Sequence, residues 1–582
     1  MLPLWPPPAP PPAPASPDRR RAPRRHQVRL AIRDAPRALA PDPANGRPHP
    51  GDGRQASRRP GRLALAAAFV LFVALALFGQ RYHWVEEAGT AERDGYVGQA
   101  EQILHGGLPH DPYRPLLYPL LTAGLSCLLR DPFTAARWLS NLAAAALAWL
   151  AWATGRRLAG PVAGAWAMAL LAVNPNLWIL GQHVSTDMLF AALGAAALWA
   201  GLCYLERPGA APALLAGASF AAAAFTRSNA LFLLPALLLA WVLAARPARV
   251  PHPWRTSLGH LALAAGLAVL LLVPHWILRQ AVFGSPFHDE NWKNLAWKLY
   301  GYPDWSYLDR VPFRSAWEIV RRDPGGIVRG GLAELRRFAA GGIAQLLGTW
   351  AQVLLCVAGA AWALRGRRAR PAAWLLFAWV SFLGATAFSF FTWGRLLLLL
   401  LPAAYALGFF PWGGALESWL VDWSGGAGRF RNLSRLVPSG LAGALVLLLA
   451  VKTFGFRLPA FVDHHPYLEV ATLQRLDAGL PAGARLAGTS PFLGRYLRHG
   501  YIDLPDAFGP EVAQPALYYA KLARLLQGSG VVYLVVGETD LRDRPAALLG
   551  DQPPVDWLVA MGRIGPQRRV AVWKVREGRP AG

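Results

Sequence analysis

The sequence predicts an all-α polytopic membrane protein, with about eleven transmembrane helices and juxtamembrane helices on one face, followed by a small α/β domain. Three observations carry this expectation: the composition, the recurrence of apolar runs, and the placement of Arg between them. Of 582 residues, 54% are hydrophobic and 16% charged, against about 25% charged in a soluble chain. This excludes a mostly soluble, a disordered or a fibrous protein. The net charge is +25, from 59 Lys and Arg against 34 Asp and Glu. In a soluble chain that excess would point to nucleic acid, but here the Arg cluster between apolar runs, which is the mark of membrane orientation. No helix-turn-helix or RNA-binding motif is present, so no nucleic-acid partner is expected. The three cysteines, Cys127, Cys203 and Cys356, sit in apolar runs and have neither a disulfide framework nor zinc-site spacing.

Residues 1 to about 62 are rich in Pro, Ala and Arg. They hold too few large apolar residues to offset chain entropy, and a disordered cytoplasmic tail is expected. Apolar runs follow at about 63–80, 133–153, 159–177, 187–205, 211–226, 229–245, 257–278, 340–364, 371–390, 395–411 and 439–452. Several are at or below the roughly 20 residues a helix needs to cross a bilayer. The run 116–129, interrupted by Pro119, is shorter still and suits an interfacial helix.

Orientation decides that assignment. If 116–129 does not cross and the N-terminus is cytoplasmic, the short inner loops carry Arg156, Arg157, Arg207, Arg246, Arg249, Arg255, Arg365, Arg367, Arg368, Arg370, Arg429, Arg431 and Arg435. The short outer turns then hold only Arg227 and Arg395. The positive-inside bias is obeyed, whereas a crossing at 116–129 would invert it. Three larger segments fall outside: 81–132, 279–339 and the tail from 453 to 582. In the tail, helix-like runs occur near 467–479 and 514–527, and β-branched runs at Val531–Val536 and Val570–Val575 read as strands.

The chemistry-bearing residues fall in those outer segments. The first loop carries Glu92, Asp94 and Tyr96, then Tyr113-Arg114-Pro115-Leu116-Leu117-Tyr118-Pro119. Asp187 opens a later span, where an ionisable residue at a membrane edge is a functional candidate and the plain alternative is a helix cap after Thr186. Arg114, Arg227 and Arg395 stand at the outer boundary, where a guanidinium fork suits phosphate and the plain alternative is a headgroup anchor. The second outer loop runs Gly284-Ser285-Pro286-Phe287-His288-Asp289-Glu290-Asn291-Trp292-Lys293-Asn294. Its Asn291, Trp292 and Lys293 are candidates for sugar contacts, although most Trp serve the interfacial belts. His183, His275 and His288 are scattered and form no metal set.

The order of these motifs resembles the GT-C membrane glycosyltransferases, nearest to the bacterial protein O-mannosyltransferase-like and aminoarabinose-transferase-like group. The resemblance is carried by Asp94-x-Tyr96 with Tyr113-Arg114-Pro115-Leu-Leu-Tyr118-Pro, Gly155-Arg156-Arg157, Asn174-Pro175 with Gly181 to Asp187, Phe225-Thr226-Arg227-Ser228-Asn229, and Trp393-Gly394-Arg395 through Pro402. It covers roughly 63–411. It implies a GT-C transmembrane domain over 63–452, an extracytoplasmic α/β domain over 453–582, and placement in a bacterial plasma membrane. It implies a sugar donor on a polyprenyl phosphate, Asp94 as the base that activates an acceptor hydroxyl with inversion, and Arg114, Arg227 and Arg395 on the phosphate. Asp187, with Glu92, would support the acceptor or a divalent ion, and Tyr96 and Tyr118 would contact the donor. The acceptor is a lipid, a polysaccharide or a protein. One departure stands out: where the family commonly has two adjacent acids, Asp94 is followed by Gly95. Two carboxylates are too few to name a metal. The competing readings are a transporter or flippase, which calls for inverted repeats and broken helices, and a polysaccharide polymerase or ligase.

Overall fold

The computed structural model describes residues 52–82, 96–109, 111, 113–245, 253–300, 313–366, 368–389, 394–412, 430–463, 474–481, 483–488, 500–503, 515–537, 546–564 and 570–576. The chain divides into Met1–Arg58 and Arg59–Gly582, and the fold below is that of the second unit. The helices in order are α1 (Asp52–Tyr82), α2 (Tyr96–Leu104), α3 (Leu117–Leu129), α4 (Pro132–Ala159), α5 (Pro161–Ala172), α6 (Pro175–Gln182), α7 (Thr186–Glu206), α8 (Ala210–Ala224), α9 (Leu234–Ala244) and α10 (Pro253–Phe283). They continue with α11 (Lys293–Tyr300), α12 (Ala316–Arg322), α13 (Pro324–Arg337), α14 (Ile343–Leu347), α15 (Trp350–Arg365), α16 (Ala369–Phe388), α17 (Leu401–Gly408), α18 (Phe430–Ala450), α19 (Leu458–Asp463) and α20 (Pro515–Gly528). Polar caps mark their starts: Asp131 before Pro132, Asn174 before Pro175, Asp323 before Pro324, Ser185 before α7 and Thr349 before α15. Each supplies an oxygen to an N–H that the first helical turn leaves free.

Among the described residues, five helices are long and apolar enough to cross a membrane, or seven if each of two bent pairs counts as one span, and four shorter apolar helices, Leu117–Leu129, Ala210–Ala224, Ser228–Ala244 and Gly394–Gly408, accompany them. The run 159–177 is broken between α5 and α6 by a 56° bend at Val173–Asn174, where Pro175 cannot continue the ladder. The run 340–364 is broken by a 94° bend, where Gly348 takes a φ of +104° and Thr349 caps the next helix. The run 133–153 lies in the 28-residue α4, whose last turn carries Arg156 and Arg157. α1 begins at Asp52, within the segment 1–62 expected as a tail, and has Pro60 inside it.

Two short runs gain length from tighter winding. Ser228–Leu233 and Gly394–Leu400 are 3₁₀ turns that lead directly into α9 and α17. A 3₁₀ turn rises about 2 Å per residue against 1.5 Å in an α-helix, so 15 to 17 residues reach roughly 26–28 Å. Leu397, Leu398, Leu399, Leu400 and Leu401 are all fully buried, which puts the second run in the middle of the bundle. Close helix crossings use glycine. A Cβ on Gly155 of α4 would lie 2.8 Å from Gly164 Cα of α5, and one on Gly217 of α8 would run into the Ala264 carbonyl of α10. Small residues let backbones approach where lipid supplies no hydrophobic drive.

The two breaks are stitched to each other. The bend at Gly348 frees the last carbonyls of α14. Gln345 O accepts from Asn176 Nδ2 at 2.9 Å, Leu346 O from Asn174 Nδ2 at 3.0 Å, and Leu347 O from Tyr405 Oη at 2.8 Å. Gly348 O accepts from Lys452 Nζ, and Thr453 Oγ1 donates to Val173 O at 2.7 Å across the other break. Away from water an unmet carbonyl is costly, so these side chains make the bends tolerable.

Among its described residues the C-terminal part holds five strands: β1 (Arg485–Gly488), β2 (Gly500–Asp503), β3 (Val531–Gly537), β4 (Leu558–Ile564) and β5 (Val570–Val575), in sheet order β2-β1-β3-β5-β4. β1 is parallel to β2 and β3, and β5 is antiparallel to β3 and β4. Tyr518, Leu522 and Leu526 of α20 pack with Leu534, Val536 and Trp573 of the sheet. The two strands expected from β-branched runs are β3 and β5. The helix expected near 514–527 is α20, and the one near 467–479 lies outside the described residues except for a helical stretch at 474–478.

Candidate active site

A cavity of about 520 Å³ opens where the predicted outer segments meet, lined by residues that include Tyr96, Tyr113, Arg114, Thr186, Asp187, Arg227, Ser228, Asp289, Asn291, Trp292 and Arg395. The carboxylate at its centre is Asp187, which is 1% exposed. Its Oδ1 accepts from Arg227 Nη1, and its Oδ2 lies 3.6 Å from Arg395 Nη1 and 3.2 Å from Ser185 Oγ. Ser185, not Asp187, is the N-cap of α7. Asp187 stands in the first turn of α7, and its carboxylate meets two guanidiniums as well as the cap hydroxyl. Arg227 Nη1 also donates to Thr186 Oγ1 at 3.1 Å, and Tyr96 Oη pairs with the same hydroxyl at 3.3 Å.

The third guanidinium is held by a residue the sequence reading did not single out. Asp111 accepts the backbone N–H of Tyr113 at 2.8 Å and of Arg114 at 3.0 Å through Oδ1, and Arg114 Nη1 at 2.9 Å through Oδ2. Gln99 Nε2 donates to that Oδ2 at 2.8 Å. Arg279, 3% exposed at the end of α10, clamps the same turn by donating to Asp111 O at 2.7 Å and to Arg114 O at 3.1 Å. Tyr118 does not line the cavity. It is fully buried behind Tyr96, in an edge-on ring contact at 5.3 Å, and donates to Ala136 O at 2.8 Å.

The second outer loop closes the site from the other side. Asn291 Nδ2 donates to Tyr113 O and lies 3.3 Å from Ser228 Oγ, tying the Arg114 turn to the Arg227 turn. Asp289 also lines the cavity and accepts the Asn291 N–H at 2.7 Å. Burial pushes its carboxyl above the usual range, opposed by hydrogen bonds from Asn291 and Ser228 and by the charge of Arg279. Trp292 lines the cavity, whereas Lys293 does not: its ammonium is held by Glu290 at 2.5 Å and lies 5.8 Å from the Tyr113 ring. Beside Asp187, desolvation pushes His183 down from 6.5 to about 4, opposed by Asp187 and aided by Arg395.

Glu92 and Asp94 lie outside the described residues. In sequence Asp94 is two residues before Tyr96, which lines the cavity. Among the described residues no group of three His, Cys, Asp or Glu is placed to hold a metal ion.

The far end of α7 carries a matching cluster. Glu206 accepts from Arg157 Nε at 2.7 Å and from Arg368 Nη1 at 2.5 Å. Three of the loops expected to lie together on the inner side thus meet at one end of a helix of 21 residues, about 31 Å long. The turns expected on the outer side meet at the other end.

Residues 113–277 match the dolichyl-phosphate-mannose-protein mannosyltransferase family. The family matched is one of glycosyltransferases, in keeping with the GT-C resemblance. It includes Arg114, Asp187 and Arg227, and stops short of Asp289, Asn291 and Arg395. Among solved structures, the chain is 16% identical to ArnT from Cupriavidus metallidurans bound to undecaprenyl phosphate, covering 87% of this chain and 97% of that one at a TM-score of 0.49. It is 14% identical to the Archaeoglobus fulgidus oligosaccharyltransferase in complex with Zn and sulfate, covering 81% of this chain and 68% of that one at a TM-score of 0.48. It is 19% identical to the S. cerevisiae protein O-mannosyltransferase Pmt1–Pmt2 complex bound to the sugar donor, covering 37% and 34% at a TM-score of 0.31. No curated protein sequence matches the chain.

Proposed function

We propose that the chain is a membrane glycosyltransferase that moves a sugar from a polyprenyl phosphate to an acceptor hydroxyl on the extracytoplasmic face of a bacterial plasma membrane. The observation that carries this reading is the convergence of Arg114, Arg227 and Arg395 on one cavity at one end of the bundle. The family match over 113–277 supports a donor of the dolichyl-phosphate-mannose class. Displacing a lipid phosphate needs positive charge where the anion develops, and guanidinium forks meet phosphate through paired N–H groups. Asp187 holds two of the three forks in place. Asp94, two residues from Tyr96, takes the acceptor proton as the sugar carbon is attacked from the face opposite the phosphate, which inverts it. Glu92 stands beside it in sequence as a helper. The catalytic domain is 63–452, and 453–582 is an extracytoplasmic domain that helps select a lipid, polysaccharide or protein acceptor.

The two broken spans are the feature that favours a transporter. Their freed carbonyls, however, are occupied by Asn174, Asn176, Tyr405 and Lys452 rather than turned to a substrate path. Purified protein given radiolabelled polyprenyl-phosphate mannose and bacterial envelope acceptors is expected to transfer label, and Asp94→Asn to lose the transfer. Full transfer by that variant removes Asp94 from the mechanism. Vesicle uptake of substrate without transfer contradicts the enzyme reading.

A further inference from the structure

Two carboxylates line the cavity among the described residues, and their settings differ. Asp187 is committed to two guanidiniums. Asp289 has no ion pair within 4 Å among the described residues; it accepts the Asn291 N–H through Oδ1 and hydrogen bonds from the Asn291 and Ser228 side chains, which leave part of its four-site acceptor capacity for a ligand. Nor is that turn loose. Asn291 pins it to Tyr113 O and to Ser228 Oγ, so Asp289 is held between the Arg114 and Arg227 segments, and Trp292 lines the same wall. A largely buried carboxylate in a cavity that an indole also lines is a setting for sugar hydroxyls. A carboxylate accepts through two oxygens and can take two neighbouring O–H groups at once, and such charge-assisted bonds are the strong ones.

We infer that Asp289 is a specificity-determining residue that accepts hydrogen bonds from the ring hydroxyls of the donor sugar, while the three arginines take its phosphate. This rests on the lipid-linked donor of the proposed function and adds to it the group that reads the sugar. Truncating a charged hydrogen-bond partner costs about 1.5–3 kcal/mol, or roughly 10- to 100-fold in affinity.

The test titrates purified protein with two ligands, polyprenyl phosphate and polyprenyl-phosphate mannose. Asp289→Asn keeps an oxygen for the Asn291 N–H. It is expected to bind the mannose donor roughly 10- to 100-fold more weakly and to bind polyprenyl phosphate no less tightly than wild type. Asp289→Glu, which keeps the charge but moves it, is expected to fall between. Equal weakening of both ligands would mean that Asp289 only shapes its turn, and unchanged donor affinity would remove it from the sugar; either overturns the inference. Failure of the wild type to bind polyprenyl phosphate at all would sink the lipid-linked donor itself, a result distinguishable from the other two.

Discussion

Asp187 and Glu206 stand near the two ends of one helix, and each carboxylate is shared between two arginines from other elements. Asp187 meets Arg227 and Arg395, and Glu206 meets Arg157 and Arg368. The two clusters are alike in charge and differ in burial. Asp187 is sealed at the cavity floor with 1% exposure, while Arg368 at the other end is half exposed.

That difference predicts unequal mutations. Asp187→Asn strips two partly buried guanidiniums of their anion, and removing one partner of a buried pair costs about 3 kcal/mol or more. The same change releases two phosphate-binding forks, so transfer is expected to fall by at least about 100-fold. Thermal unfolding in detergent and a transfer assay on the same preparation check both.

Glu206→Gln is the contrasting case. Its pairs are partly solvated, and such pairs are worth up to about 1 kcal/mol each and weaken with salt. A small, salt-sensitive drop in melting temperature with transfer intact is expected. Loss of transfer equal to that of Asp187→Asn would mean that both ends of α7 serve the chemistry.

His183 makes stability depend on pH. Its folded value is about 4 and its ordinary value 6.5. Between these values the unfolded chain binds a proton that the folded chain does not, so stability falls as pH drops through this window and levels off below it. At about 1.4 kcal/mol per unit the loss approaches roughly 3–4 kcal/mol. His183→Gln is expected to flatten the slope, read from unfolding midpoints at pH 7, 5.5 and 4.5.

Tyr405→Phe leaves the Leu347 carbonyl without its donor inside the bundle, and removes a hydrogen bond at 2.8 Å from Asn174 Nδ2 to the same hydroxyl. A buried group left unmet costs about 1–3 kcal/mol. Unfolding is expected to shift accordingly, while transfer at a temperature well below the midpoint is retained, because the node lies away from the cavity.

Which loops share an end of the bundle was legible in the sequence from the placement of Arg between apolar runs: Arg157 and Arg368 meet at one end of α7, Arg227 and Arg395 at the other. Arg114, Arg227, Arg395, Asp187, Tyr96, Asn291 and Trp292 line one cavity. The helix breaks were not legible, because an apolar run looks the same whether it is straight, wound as 3₁₀ or bent at Gly348. Asp111 and Arg279 were missed for a related reason. Asp111 lies two residues before a recognised motif, and Arg279 closes an apolar span, so each reads as a turn or an anchor until the backbone carbonyls of 111–114 are seen on its guanidinium. Lys293 and Tyr118 read as contacts by type alone, and the structure gives them Glu290 and Ala136 instead.

The central claim is that three guanidiniums of one cavity grip a lipid phosphate, and the affinity of purified protein for polyprenyl phosphate tests it most directly. Arg114→Ala, Arg227→Ala and Arg395→Ala are each expected to weaken binding by roughly 10- to 100-fold, as loss of a charged hydrogen bond does. An affinity the same as wild type in all three variants would contradict the account.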